Sequence, residues 1–148
     1  MMAHLSATDV EASVFRNNYA APLNNVNPST LSGSAGAVFV QSAIFHVYST
    51  LFTYNMAASG QFDSGAQGGA LLFENVVNAS VVGCQFTYNG AAGFTQYSSY
   101  AESGSGGAIG LKFSVADISG CAFTNNWVST GGVQASTGGA IAGMSTIE

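Results

Sequence analysis

Four copies of Phe-x-x-Asn divide this chain into near-equal lengths. They read "FRNN" (Phe15, Asn18), "FTYN" (Phe52, Asn55), "FTYN" (Phe86, Asn89) and "FTNN" (Phe123, Asn126), with Phe-to-Phe spacings of 37, 34 and 37 residues. A second signal, a small residue and Gly-Ala followed by a branched apolar residue, accompanies them: "AGAV" (Ala37), "GGAL" (Ala70), "GGAI" (Ala108) and "GGAI" (Ala140). From that Ala to the next Phe the distance is 15, 16 and 15 residues, so length varies mainly between the Asn and the next Gly pair. A fixed period of this size is the mark of a repeat architecture.

Aligned on Phe, whole columns agree. Five residues before it stand Val10, Val47, Val81 and Ile118; two before it stand Ser13, Thr50, Cys84 and Cys121. Two beyond each Asn stand Ala20, Ala57, Ala91 and Val128, and after the Gly-Ala signal come Val38, Leu71, Ile109 and Ile141. These positions do not follow a 3.6-residue period, and Gly, Asn, Ser and Thr are poor in helix interiors. Short β-branched and aromatic runs bounded by Gly, Ser and Asn read as strands. A unit of this size with one small apolar set cannot make its own core, so it must stack on copies of itself, at about 4.8 Å per strand. The expected fold is an all-β parallel solenoid of about four turns. Phe15, Phe52, Phe86 and Phe123 form an interior aromatic stack. Asn18, Asn55, Asn89 and Asn126 form an amide ladder, a known stabiliser of stacked strands. The Gly pairs mark corners where a Cβ would clash.

Along the chain this gives a partial first turn (about 1–35), turns at about 36–67, 68–105 and 106–137, and the opening strand of a fifth (138–148), all in a single domain, 1–148. Between Asn and the next Gly pair lie segments rich in Ser, Gly and Thr, expected to be loops on one side, where solenoids often place binding. The one with Phe94, Tyr97 and Tyr100 is the candidate binding loop. Gln41, Glu74 and Lys112 share an outward column, which makes Glu74 and Lys112 stacked neighbours and an ion pair that marks the register.

Composition narrows the partners. Charged residues are 6% of the chain, against roughly 25% in ordinary proteins, and the only cationic side chains besides the two His are Arg16 and Lys112. Nucleic acid and anionic membrane surfaces are therefore not expected partners, since both need clustered Lys and Arg. With 47% hydrophobic and 11% aromatic residues the chain is too apolar for disorder despite 19 Gly. No run approaches the 18 apolar residues of a membrane span. The opening "MMAHLSATDV" has no basic segment followed by an apolar one, and the closing "GGAIAGMSTIE" stops one strand into a new turn. The expectation is a fragment of a longer solenoid whose open ends meet other solenoid segments or copies of itself.

"GGAI" paired with "FTYN" and "FTNN", across the whole chain, resembles the repeat of the chlamydial polymorphic outer membrane proteins, and more broadly the right-handed parallel β-helix proteins that include pectate lyases. The resemblance implies a right-handed β-helix with three strand faces per turn, and an extracellular or cell-surface passenger region used in adhesion.

Candidate chemistry is sparse. Polysaccharide-cleaving β-helices need converging carboxylates, with calcium or in pairs. Asp9, His46, Ser80 and Asp117 share one column, but Asp9 and Asp117 are three turns apart, roughly 14 Å, too far for a dyad. His4 and His46 lack ligand spacing, so no cofactor or metal is expected. Cys84 and Cys121, one above the other at about 5 Å, are within disulfide reach; stacked free thiols are the simpler arrangement. Asn78 in "NAS" is a glycosylation sequon, expected to face solvent beside inward Ala79. Tyr54 and Tyr88 stack as a small outward aromatic strip that suits sugars or a protein. The expected function is a non-catalytic structural or adhesive segment of a secreted or surface protein, with carbohydrate as a candidate ligand. The alternative is a truncated or degenerate polysaccharide lyase or glycoside hydrolase.

Overall fold

The computed structural model describes residues 7–20, 35–58, 66–92, 104–129 and 138–144. The candidate loop residues Phe94, Tyr97 and Tyr100 lie outside them. The described residues are all β. In chain order the strands are β1 (Ala7–Glu11), β2 (Val14–Arg16) and β3 (Tyr19–Ala20); β4 (Val38–Gln41), β5 (Ile44–Tyr48), β6 (Leu51–Thr53) and β7 (Met56–Ala58); β8 (Leu71–Glu74), β9 (Asn78–Val82), β10 (Gln85–Thr87) and β11 (Gly90–Ala92); β12 (Ile109–Lys112), β13 (Ala116–Ser119), β14 (Ala122–Thr124) and β15 (Trp127–Ser129); and β16 (Ile141–Met144).

Every strand pairs in parallel with its counterpart one repeat away. The four resulting sheets run β1-β5-β9-β13, β2-β6-β10-β14, β3-β7-β11-β15 and β4-β8-β12-β16. The register is the one the sequence columns predict: Phe15 over Phe52, Phe52 over Phe86, Phe86 over Phe123; Val10 over Val47 over Val81 over Ile118; Lys112 beside Glu74.

The family resemblance implies three strand faces per repeat; there are four. The reason lies in the backbone. Among the described residues every positive φ falls in one of four columns: Ala35, Gly68, Gly106, Gly138; Ser42, Asn75, Phe113; Ala12, Ser49, Gly83, Gly120; and Asn17, Tyr54, Tyr88, Asn125. With φ between 46° and 65° these are left-handed corners; those of the last three columns each end a strand of three to five residues, and those of the first lead into the Gly-Ala signal. For a non-glycine residue that conformation costs roughly 1–2 kcal/mol. Hydrogen bonding continues through the corners: Tyr54 N–H donates to Thr87 O at 3.1 Å, Ser49 N–H to Val82 O at 3.0 Å, and Asn75 N–H to Lys112 O at 3.0 Å. In the first three repeats each corner N–H finds a backbone acceptor one repeat on, which is what allows corners to stack.

The core lies between the sheets. Val47, Phe52, Leu71, Phe73, Val76, Val81, Phe86 and Ile109 are all fully buried. Residues alternate in and out most clearly along β5, where Phe45 and Val47 are buried between the partly exposed Ile44, His46 and Tyr48. The Phe rings stack at centroid distances of 5.0, 4.8 and 5.0 Å and within 6° of parallel. The second glycine of the first two Gly pairs has its own task. A Cβ on Gly69 would run into Gly107 O and the backbone of Gly90, and one on Gly107 into Gly139 O and the backbone of Trp127. Here two stretches of main chain touch, and no side chain fits.

Candidate functional site

The polar interior is one continuous amide ladder. Asn18 Nδ2 donates to Asn55 Oδ1 at 2.9 Å, Asn55 Nδ2 to Asn89 Oδ1 at 2.9 Å, and Asn89 Nδ2 to Asn126 Oδ1 at 3.0 Å. Each Oδ1 also accepts the backbone N–H of the Asn one repeat earlier, at 3.0 to 3.2 Å. The second amide hydrogen goes to a Phe carbonyl: Asn55 to Phe15 O, Asn89 to Phe52 O, Asn126 to Phe86 O. Asn55 and Asn89 are fully buried, with every side-chain donor and acceptor matched. The ladder has a direction. Among the described residues Asn18 Oδ1 is an open acceptor at one end, and the Asn126 N–H is an open donor at the other.

A second, shorter ladder uses hydroxyls and thiols. Thr50 Oγ1 donates to Tyr48 O at 2.8 Å and accepts Ser13 N–H at 3.4 Å. Cys84 and Cys121 repeat the pattern in the same column as free thiols. Cys84 Sγ meets Val82 O at 3.4 Å, Cys121 Sγ meets Ser119 O at 3.4 Å, and Cys84 N–H donates to Cys121 Sγ at 3.3 Å. Burial raises the Cys84 pKa above its ordinary value, and the neighbouring Cys121 adds to the rise. Ser114 does the same work at another corner, accepting Val76 N–H at 2.9 Å and donating to Lys112 O at 2.8 Å.

Outward residues stand in rows. Lys112 Nζ lies 2.7 Å from Glu74 Oε1, and Gln41 Nε2 donates to Glu74 Oε2 at 3.2 Å, so the column Gln41, Glu74, Lys112 is bonded throughout. Asp9, His46, Ser80 and Asp117 are aligned as the sequence predicts, which keeps the two carboxylates apart. His46 Nδ1 is buried without a hydrogen-bond partner, and its ring lies 6.2 Å from that of Tyr48. Among the described residues no three His, Cys, Asp or Glu side chains gather as metal ligands, and no helix is long and apolar enough to cross a membrane. Asn78 is exposed on β9 and Ala79 is buried beside it, so the sequon is accessible.

The aromatic strip is larger than the sequence analysis anticipates. Tyr54 and Tyr88 stack at 5.0 Å and 6° while staying 51% and 43% exposed. Two residues past Tyr88 comes Gly90, and the Trp127 indole occupies the space that a side chain at Gly90 would fill. Trp127 is still 40% exposed. Aligning the column Tyr19, Met56, Gly90, Trp127 would have shown one absent side chain beneath one large ring. No family model, curated protein or solved structure matches the chain.

Proposed function

We propose that the chain is a segment of a right-handed parallel β-helix from a secreted or cell-surface protein, with a non-catalytic structural or adhesive role, joining other solenoid segments or copies of itself end to end. The observation that carries this reading is the directional Asn ladder. Its interior rungs are saturated, while one end offers acceptors and the other donors. The two ends are complementary to each other, whether the next rung belongs to the same polypeptide or to another. Parallel strands reinforce this, because among the described residues the outermost strands of each sheet pair on one side only, in the register that a further repeat would match.

Sedimentation velocity over a range of concentrations, with electron microscopy of the same samples, tests the assembly. End-to-end particles that lengthen with concentration, and shorten when Asn126 is changed to Ala, are expected. Compact monomers at every concentration overturn end-to-end joining. Release of reducing or unsaturated sugars from a polysaccharide overturns the non-catalytic role and installs the lyase or hydrolase alternative.

A further inference from the structure

We infer that Tyr54, Tyr88 and Trp127 form a binding site for a neutral, extended polysaccharide lying along the axis on which the repeats stack. This rests on the adhesive side of the reading above and gives it a ligand class.

The first observation is the backbone. Tyr54 and Tyr88 sit at left-handed corners, with φ of 54° and 55°, whereas Asn17 and Asn125 fill the same column in the flanking repeats. Asn tolerates that conformation far better than a bulky residue does. Two aromatic residues are thus held where folding favours Asn or Gly. Their rings are about half exposed, so core burial does not repay the cost. Strain kept at an exposed position points to function.

The second observation is the seat beneath the indole. Gly90 leaves its column without a side chain, and Trp127 lies over the gap. An indole backed by main chain and open to solvent is a fixed apolar platform with a polar N–H. Tyr88 and Gly90 flank the inward Asn89, so the tyrosine pair and the indole belong to neighbouring outward columns.

The surroundings select the ligand. Side chains beside the rings are hydrogen-bonding groups, the neutral Asn17, Asn125, Thr87 and Thr124, with the single cation Arg16 heading the threonine column at one end. The indole lying over Gly90 offers the flat surface, the stacked tyrosines border it with ring edges, and with the amides and hydroxyls around them they suit the apolar face and hydroxyl rim of a pyranose. A net charge of −5 disfavours an anionic glycan. The 5.0 Å ring spacing is close to the advance of one sugar along an extended β-linked chain. Successive sugars would therefore meet successive repeats.

Trp127 is the only tryptophan, so its fluorescence reports on the site directly. Titration with cellohexaose is expected to give a saturable change in emission. The double variant Tyr54→Asn, Tyr88→Asn uses residues the column already accepts. It is expected to keep the β circular dichroism and to keep or raise the melting temperature while weakening binding about tenfold or more, roughly 1.4 kcal/mol. Trp127→Ala, read by affinity electrophoresis in a cellulose-derived matrix, is expected to lose retardation. A flat titration with both cellohexaose and mannohexaose overturns the proposal, as does unchanged affinity in the double variant. Binding of polygalacturonate in preference to the neutral glycans overturns the ligand class. These readouts are independent of sedimentation, so a flat titration beside concentration-dependent particles removes the glycan site and leaves the structural reading standing.

Discussion

Asn55 and Asn89 are joined twice: Asn89 Oδ1 accepts from both the backbone N–H of Asn55, at 3.0 Å, and its Nδ2, at 2.9 Å. Asn89 then passes its own amide hydrogens to Asn126 Oδ1 and Phe52 O. Removing this side chain strands several groups at once in a fully buried site. Each buried polar group left unpaired costs about 1–3 kcal/mol. Asn89→Ala is therefore expected to lose about 3 kcal/mol or more in urea unfolding. Asn18→Ala, at the exposed end of the ladder, is expected to lose less than about 1 kcal/mol. Equal losses at the two positions would remove the ladder as a source of stability.

Phe86 is clamped between Phe52 and Phe123 at 4.8 and 5.0 Å. Truncating it leaves a cavity and breaks two ring contacts. Phe86→Ala should cost about 3–5 kcal/mol, read as a lower denaturant midpoint. A loss below about 1 kcal/mol would place that ring outside the core.

Two glycines separate two kinds of constraint. Gly83 has φ of 62°, and a Cβ there would meet only Ser49 atoms near 4 Å, so space is available. Gly83→Ala is expected to lose about 1 kcal/mol from backbone strain alone, with Gly83→Asn milder. At Gly69 a Cβ would collide with main-chain atoms of Gly90 in its own repeat and of Gly107 in the next. Gly69→Ala is expected to abolish the cooperative unfolding transition, as followed by circular dichroism.

The raised pKa of Cys84 makes stability depend on pH at the alkaline end. The native state holds the thiol proton more tightly than the unfolded chain does. The contribution is complete below the ordinary value of 9.0 and is lost as pH rises past it towards the higher folded value. Melting temperature should fall between about pH 8 and 10 more steeply for the native sequence than for Cys84→Thr, which copies Thr50 in the same column. Parallel curves would show that this thiol does not contribute. Alkylation should also reach the partly exposed Cys121 before Cys84, as mapped by mass spectrometry.

Lys112 and Glu74 form a bonded but semi-exposed pair, with side chains 35% and 20% exposed. Solvent and salt screen it. Lys112→Ala is expected to cost less than about 1 kcal/mol, and that loss should shrink further in high salt.

Much of this architecture was legible because in-register parallel stacking turns sequence period into spatial neighbourhood. Once the phenylalanines Phe15, Phe52, Phe86 and Phe123 and the Gly-Ala alanines Ala37, Ala70 and Ala108 are aligned, residues at equal offset from the nearer marker are neighbours, and the Glu74–Lys112 pair, each four residues past its alanine, follows. The corners were harder. Gly83 and Gly120 announce a left-handed turn, but Ala12, Ser42, Tyr54 and Phe113 adopt the same φ with no compositional signal, so four strand faces could not be counted in advance. Alternation also fails where a side chain is missing on the outer surface. Leu72 points away from the core column of Leu71 and Phe73, yet it is buried: its Cδ1 lies over Gly110. Trp127 over Gly90 is the same event with a larger ring. Sequence patterning assigns a side chain to a face; it does not say that a glycine in the neighbouring repeat invites that side chain to lie down.

The constant distance between ladder partners, 34 or 37 residues along the chain, bears on how such a molecule reaches its native state. Every long-range contact closes a loop of nearly one size, so the entropic toll of closure is the same for each added repeat and never grows with total length. The difficult event is bringing the first two repeats together; afterwards each finished layer is a template on which the next condenses. Growth of this kind suits a chain that emerges gradually from a ribosome or a secretion pore, since each layer needs only its predecessor.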